Sequence, residues 1–316
     1  MKTNFKYRFL NLLFFVLIRS ASAYADQPAC TNANFSVSAS SVFLNINSCS
    51  MLQVTASMRV HTNPCTFFFT FDYGGAGSWL SRSLLNGTNS WPYQIFQDPG
   101  QTNILKDLPA ASSTTDVLSG SISTLGNQIL TLNFFVCLNP TNPYLRFGSY
   151  SNAFNVSMYT GSLATHTNVH SKNISLVYLA PRQIDLSLVS TSAPFSLSST
   201  NLNMNFGEIQ PSGGSSLSAD LLIKYNAGYK ILMSSQNNGK LAHSSANDTS
   251  AYTIFLSGSA VDLSNSSGAP ITASYGAGVS PSTGARFPIQ VSLGAAPNKS
   301  AGDYLDTITI IVQSAE

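Results

Sequence analysis

The chain has 316 residues, and only 9% of them are charged, against roughly 25% in typical globular proteins. The whole chain carries a net charge of +2, but its first 25 residues hold four basic residues and no acidic one, so the remainder has 11 basic and 13 acidic residues. A nearly neutral chain without a basic patch gives no argument for anionic lipid as a partner, and we expect no nucleic acid partner.

Residues 1–25 have the pattern of a secretory signal peptide. A basic start precedes an apolar run from Phe9 to Ile18, and small residues follow at Ala21, Ala23 and Ala25. We expect cleavage after Ala25, with Ala23 as the other small-residue position. Because the apolar run is too short to span a bilayer as a helix, an exported protein is favoured over a membrane-anchored one.

The four cysteines all lie in the first half of the chain, at Cys30, Cys49, Cys65 and Cys137. Export and an even count favour two disulfides over a metal site, and no histidine stands at zinc-ligand spacing from a cysteine pair. We predict Cys30–Cys49 with Cys65–Cys137, and Cys30–Cys65 with Cys49–Cys137 is the main alternative.

Residues 26–179 are predicted to form a first domain. Alternating apolar residues predict strands at 35–39, 42–46, 53–60, 66–73, 128–137, 150–159 and 174–179. Residues 74–126 have weak periodicity, and a loop of that length is unusual unless it is functional. This stretch holds both tryptophans, Trp79 and Trp91, which with Phe96 are either core residues of strands that the pattern hides or exposed apolar loop tips.

Residues 180–316 are predicted to form a second domain, with strands at 184–189, 202–206, 217–225, 229–234, 252–257, 287–293 and 304–313. Turns rich in Gly, Ser and Asn separate the strands, and helical periodicity is almost absent. Many short strands of this kind favour a sandwich or a barrel.

The last predicted strand repeats a pattern that occurs earlier in the chain. When Gly148 is aligned with Gly302, the following residues fall on the same parity: Tyr150 with Tyr304, Asn152 with Asp306, Phe154 with Ile308, Val156 with Ile310, and Met158 with Val312. The repeat predicts two domains of similar build. In this sequence only Ser314, Ala315 and Glu316 follow the second copy, so we expect its far edge to lack a partner strand.

Catalytic and cofactor-binding patterns are weak in this sequence. The four histidines (His61, His166, His170 and His243) lie outside any H-E-x-x-H motif, and no G-x-S-x-G motif occurs. No set of nucleophile, base and orienting residue is evident. We therefore expect neither an enzyme nor a bound metal or cofactor.

The second domain resembles the spore coat U domain found in subunits of archaic chaperone–usher pili. The resemblance is carried by residues 206–211 (FGEIQP), 229–231 (YKI), 287–291 (FPIQV) and 301–310 (AGDYLDTITI). The second domain departs from the family in lacking its cysteine pair, with Tyr225 where one cysteine is expected. The first domain has Asn152 where the family has Asp.

Two such domains in one chain resemble the tip adhesin of these pili. The resemblance implies two immunoglobulin-like β-sandwich domains, of which the second lacks its last strand and exposes a groove lined by Tyr304, Ile308, Ile310 and Val312. Asp306, on the same parity, is expected at a turn, where it bonds the backbone. The implied partners are a periplasmic pilus chaperone, an usher, the N-terminal donor strand of an adjacent pilin subunit, and an abiotic or host surface.

The resemblance also implies a location at the pilus tip on the cell surface and a role in attachment and biofilm formation through apolar loops of the first domain. The residues expected to bind a surface are Trp79, Leu80, Leu84, Leu85 and Trp91, with Tyr144 and Leu145 as a second loop. Two alternatives are a structural coat protein without a recognition role and a lectin-like, carbohydrate-binding adhesin. The only hint of a lectin is Gln97 and Asp98 beside Phe96.

Overall fold

The structure is a computed structural model that describes residues 29–62, 64–139, 144–212 and 214–315. The predicted signal peptide lies outside these residues. The described residues form twenty β-strands and two short 3-10 helices, and none of their helices is long and apolar enough to cross a membrane. The predicted all-β class, with two β-sandwich domains, is confirmed.

The first ten strands form the first domain, and their alternating apolar residues fill one core. The elements are β1 (Cys30–Val37), β2 (Ser41–Phe43), β3 (Ser50–Val60), β4 (Cys65–Phe71), β5 (Ser83–Asn86), β6 (Asn89–Phe96), β7 (Leu118–Ile122), β8 (Gly126–Leu138), β9 (Gly148–Gly161) and β10 (His166–Ala180), with 3-10 turns at Trp79–Ser81 and Thr114–Asp116. Neighbours in the curled sheet follow the order β1-β3-β8-β6-β5-β9-β10-β2, and β4 pairs with β9 and β7.

The long stretch of weak periodicity is structured rather than a loop, since it contains β5, β6 and β7. A buried arginine holds it in place. The Arg82 guanidinium, 1% exposed, donates hydrogen bonds to the carbonyl oxygens of Phe71 (2.6 Å), Leu105 (2.7 Å) and Asp72 (3.1 Å). Burial lowers the pKa of Arg82 to about 10. Because this charged residue directly precedes β5, it interrupts the apolar alternation at the start of that strand.

The two disulfides are Cys30–Cys65 and Cys49–Cys137, so the preferred pairing was wrong and the alternative is correct. The reason is the direction of β3. Cys30 pairs in register with Val60 at the end of β3, whereas Cys49 immediately precedes its first residue. The eleven residues of β3 separate the two ends by roughly 35 Å, so Cys30 and Cys49 cannot meet.

The remaining ten strands form the second domain around a separate core. They are β11 (Ile184–Ser190), β12 (Ser216–Tyr225), β13 (Tyr229–Ser235), β14 (Lys240–His243), β15 (Thr249–Leu256), β16 (Ser259–Val261), β17 (Ile271–Gly276), β18 (Ala285–Leu293), β19 (Tyr304–Leu305) and β20 (Ile308–Ser314). One sheet has the order β11-β12-β18-β15-β14-β19, with β16 on β15, and the other has the order β17-β13-β20.

Two predicted strands of the second domain differ in the structure. Residues 202–206 form no strand, although Leu202, Met204 and Phe206 alternate inward and pack against the core. The predicted strand at 304–313 divides at Asp306, because β19 pairs with β14 in one sheet and β20 pairs with β13 in the other. Residues 202–206 and the division at Asp306 both line one cleft of the second domain.

Candidate functional site

The two copies of the repeated pattern make the same local contacts. Gly148 (φ 129°) and Gly302 (φ 149°) both have positive φ angles that favour glycine. The hydroxyl of Tyr150 donates to the carbonyl oxygen of Arg146 (2.6 Å), and that of Tyr304 donates to Ser300 (2.9 Å), four residues upstream in both cases. This is the tyrosine corner of immunoglobulin-like sandwiches, so β9 and β19–β20 are structurally equivalent.

Asp306 fixes the point where the chain crosses from one sheet to the other. Its Oδ1 accepts the backbone N–H groups of Asn237 (3.0 Å) and Thr307 (2.8 Å). Its Oδ2 accepts the hydroxyls of Ser235 (2.6 Å) and Tyr252 (2.5 Å). Burial and then the bond to Asp306 raise the pKa of the Tyr252 hydroxyl. The expectation that Asp306 bonds the backbone at a turn is confirmed.

The equivalent side chains differ sharply in exposure. Tyr150, Phe154, Val156 and Met158 on β9 are 0% exposed, whereas their counterparts Tyr304, Ile308, Ile310 and Val312 are only half-buried. The strand β9 is flanked by β10 on one side and by β4 and β5 on the other. Among the described residues, β20 pairs with β13 alone, and its other edge is open.

A cleft of about 920 Å³ runs along this open edge. Ile308 and Ile310 of β20 form one wall, and the inward side chains of residues 202–206 form the other. The floor consists of core residues of the facing sheet, Ile254, Ile289 and Val291. Tyr304 lies at one end of the cleft, whereas Val312 packs against the core and does not line it. The cleft is therefore a groove with apolar walls and an apolar floor, between one strand edge and an extended segment without ladder partners.

The Tyr304 end of the groove is held by one carboxylate. Asp248 accepts hydrogen bonds from the Ser300 backbone N–H (3.0 Å) and the Lys299 ammonium (3.0 Å), and it shares the single proton of the Tyr304 hydroxyl with the Ser300 carbonyl oxygen (2.9 Å to each acceptor). These donors hold the pKa of Asp248 well below its usual range, with the Ser300 N–H as the largest cause. The loop that carries Lys299 and Ser300 lines the cleft, so Asp248 fixes the shape of this end.

The first group of predicted surface-binding residues is divided by the structure. Leu84 (0%) and Trp91 (1%) are buried, and the Trp91 ring packs 4.6 Å from that of Tyr178, so the prediction that they are exposed was wrong. Leu80 (71%) and Leu85 (46%) are exposed. Trp79 is half-buried, with the Lys106 ammonium 4.7 Å from its ring centroid.

The second predicted loop faces the second domain rather than a free surface. The Tyr144 hydroxyl donates to the Asp185 carboxylate on β11, and Lys224 of β12 lies 5.6 Å from the Tyr144 ring centroid. Leu145 packs against the first core. The prediction that Tyr144 and Leu145 form an exposed adhesive loop was therefore wrong.

The hint of a lectin site is explained by local structure. Phe96 is buried, and the Asp98 carboxylate accepts the Thr102 hydroxyl (2.8 Å) and the Asn103 backbone N–H (3.1 Å). These bonds close the loop that contains Asp98 and lower its pKa. Asp98 therefore shapes its own turn.

A row of apolar side chains, of which the sequence analysis predicted only Leu85, crosses the outer face of the sheet. Leu85 on β5 pairs with Ser151 on β9, Ser151 pairs with Val177 on β10, and Val177 pairs with Phe43 on β2. Paired residues point to the same face of a sheet. Phe43 is 72% exposed, and Leu179, two residues beyond Val177, is 60% exposed. The sequence contained a signal for this row, because Val177 and Leu179 alternate with the inward residues of the predicted strand 174–179 and so face outward.

Among the described residues, no group of three or more His, Cys, Asp or Glu side chains lies close enough to hold a metal ion. No family model and no curated protein matches the chain.

Solved structures that are similar to the chain include pilus tip adhesins. A chain of the CsuC–CsuE chaperone–tip adhesin complex of Acinetobacter baumannii is 15% identical over 89% of this chain and all of that one, with a TM-score of 0.43. The CupB6 tip adhesin of Pseudomonas aeruginosa is 10% identical over 89% of this chain and 94% of its own, with a TM-score of 0.38. A chaperone–tip adhesin complex of CFA/I fimbriae is 12% identical over 87% and 95%, with a TM-score of 0.36.

Proposed function

We propose that the chain is the tip subunit of a chaperone–usher pilus of the archaic type, and that its second domain takes up a β-strand from another chain. The observation that carries this proposal is the contrast between the repeated strands. The same side-chain positions are fully buried where β10 covers them and only half-buried where no described strand does. An open apolar strand edge is an aggregation hazard unless another chain pairs with it.

The first domain indicates the direction of the incoming strand. The strand β10 lies antiparallel to β9 and parallel to β2. Residues 202–206 come after β11 in the second domain as β2 comes after β1 in the first, so they are the counterpart of β2. A strand placed on β20 in the same way starts beside Ser314 and leaves beside Gly302. Its inward residues are apolar at alternate positions, as Ile174, Leu176 and Tyr178 are in β10.

In this proposal the first domain lies at the free end of a fibre. The Ser314 end of β20 lies at the junction with the first domain, because Ala315 N–H donates to Gly228 (2.8 Å) and Phe147 N–H donates to Asn226 (3.0 Å). The incoming strand leaves at the opposite end, where the body of the donating subunit must lie. In this proposal a periplasmic chaperone fills the groove first, the usher exports the complex to the cell surface, and the N-terminal strand of the next pilin replaces the chaperone.

The groove is tested by giving the chain its own strand. Gly161 is equivalent to residue 315, so a copy of residues 162–180 appended after residue 315 repeats the β9–β10 hairpin on β20. We expect the second domain to melt at a clearly higher temperature and to stop binding a chaperone. The matched control is the same extension with Asp at the positions of Ile174 and Leu176. Equal melting of the two extended chains and the unextended chain would show that the groove accepts no strand.

For the first domain we propose attachment to apolar abiotic or host surfaces, and thus a role in biofilm formation, through exposed apolar side chains. Because Leu84 and Trp91 are buried, the proposal rests on the row of Phe43, Leu85, Val177 and Leu179, with Trp79 and Leu80 beside Lys106. Each large apolar side chain buried against a surface contributes roughly 1.5–3 kcal/mol. Contact through several of them on many pili is enough to hold a cell.

The attachment surface is tested by a fourfold variant, with Ser at Phe43, Leu85 and Leu179 and Thr at Val177. We expect cells to assemble pili normally and to lose most of their attachment to plastic. The control is Ile129→Ser, which removes a side chain of similar exposure (72%) on β8. If the fourfold variant attaches like the wild type, the row is not the attachment surface, and a structural role without recognition is favoured.

A further inference from the structure

A buried asparagine in the turn between β12 and β13 lies at the junction of the two domains. Asn226 is 1% exposed, and all four of its polar groups are bonded. Its Oδ1 accepts the Gln183 backbone N–H (2.7 Å), and its Nδ2 donates to the carbonyl oxygen of Pro181 (2.8 Å). Its backbone N–H donates to Gln183 (3.2 Å), and its carbonyl oxygen accepts the Phe147 N–H (3.0 Å).

These four bonds join three separate parts of the chain. Residues 181–183 connect β10 to β11 and have no regular secondary structure. Phe147 immediately precedes β9 in the first domain. Asn226 therefore fastens the connecting segment and the base of the first domain to the second domain at the same point.

Side chains around Asn226 extend the contact between the domains. The Arg182 guanidinium lies 4.8 Å from the Phe147 ring centroid. The Tyr144 hydroxyl donates to Asp185, and Lys224, which pairs in register with Asp185, lies over both the Tyr144 and the Phe195 rings. Charge and aromatic contacts thus surround the backbone bonds on both sides of the connecting segment.

We infer that Asn226 locks the connecting segment, so that the two domains move as one rigid body and the first domain keeps a fixed direction relative to the groove. An exposed, irregular connection between domains is ordinarily a hinge and a site of proteolysis. Here the backbone groups on both sides of Arg182 are held by one buried side chain. Opening the segment requires breaking these bonds together.

If Asn226 holds the connecting segment in this way, the peptide bond after Arg182 is protected from trypsin. Arg182 is exposed, and the bond after it is formed by the nitrogen of Gln183, whose N–H is donated to Asn226. In the exported full chain we expect little cleavage after Arg182 under native conditions. Asn226→Ala removes two hydrogen bonds and leaves their partners unsatisfied, so cleavage there should rise roughly tenfold or more. Asn226→Asp keeps the acceptor for Gln183 and loses the donor to Pro181, and it should give an intermediate rate.

Two controls separate loss of the lock from general loss of stability. The rate of cleavage after Lys299, in a loop of the second domain, should stay unchanged in Asn226→Ala. Asn237→Ala, which removes a bond to the Leu305 carbonyl oxygen at the next turn, should leave cleavage after Arg182 at the wild-type rate. If Asn226→Ala fails to fold, Tyr144→Phe tests the same lock and should raise cleavage after Arg182 by a smaller factor.

A second measurement reads the rigidity directly. Backbone 15N relaxation of the wild-type chain should give one rotational correlation time for both domains, and Asn226→Ala should give two shorter ones. The inference is overturned if the wild-type chain is cut after Arg182 as fast as the alanine variant, or if its two domains tumble independently.

Discussion

The two domains contain the same strand in two different environments. In the first domain β9 lies between strands on both sides, and its inward residues are fully buried. In the second domain the equivalent residues of β19 and β20 keep the same glycine and the same tyrosine corner, but one edge is open. The local pattern is therefore enough to shape the strand, whereas burial depends on a neighbour that the second domain does not receive from the described residues.

The comparison indicates that β10 is the strand that buries β9 in the first domain. Replacing Ile174 and Leu176 together with Ala removes two fully buried side chains that cover β9. We expect the first domain to lose about 4–8 kcal/mol of its free energy of unfolding, measured by denaturant titration of the exported chain.

The second domain, whose core shares no residue with the first, should unfold at an unchanged denaturant concentration. If the two substitutions cost less than about 2 kcal/mol together, then β10 is not what buries β9, and the contrast between the domains loses its explanation.

The second difference between the domains is covalent. Both disulfides lie in the first domain, and no cysteine follows Cys137. Replacing Cys49 and Cys137 with Ser should destabilise that domain by about 2–5 kcal/mol. The same change at Cys30 and Cys65 should cost about 1 kcal/mol less, because that bridge spans 35 residues rather than 88.

Thermal melting of the two double variants checks which disulfide contributes more stability. The unfolding transition of the second domain is the internal reference. A shift of the second transition in either variant would mean that the two domains do not unfold separately. An equal cost for the two bridges would contradict the dependence on loop length.

The sequence predicted most strands because their apolar residues alternate without interruption, as in β3 and β12. It missed β5, β6 and β7 in the first domain and β14, β16 and β17 in the second. The buried Arg82 directly before β5 and Pro92 within β6 argue against strands there, although Asn86-Gly87 is a strong hairpin signal. The sequence predicted a strand at 202–206 from the same alternation. That segment has the side chains of a strand but lacks the neighbour that would give it ladder hydrogen bonds.

The site could be predicted only in part, because the alternation of apolar residues shows which side chains share a face but not whether a neighbour covers that face. Parity identified Tyr304, Ile308 and Ile310 as residues that face one side. It could not decide between Leu84, which is buried, and Leu85, which is exposed, because both orientations fit an isolated apolar pair. The disulfide pairing depended on which end of β3 each cysteine reaches, and that is a property of the pairing with β1 and β8.

The smallest expected effect is at the junction of the two domains and concerns Tyr144. Burial, followed by the hydrogen bond to Asp185 and the charge of Asp185, raises the pKa of Tyr144 to about 12 from an ordinary value of 10. Since the folded chain holds the proton more tightly, the contribution of Tyr144 to stability is fully present below pH 10 and is lost as the pH rises towards 12. The difference in ultraviolet absorbance between the wild type and Tyr144→Phe follows this one phenol, and we expect its titration midpoint nearer 12 than 10. A midpoint at 10 would mean that Tyr144 is not bonded to Asp185 in solution, and that the two domains meet through the contacts of Asn226 without it.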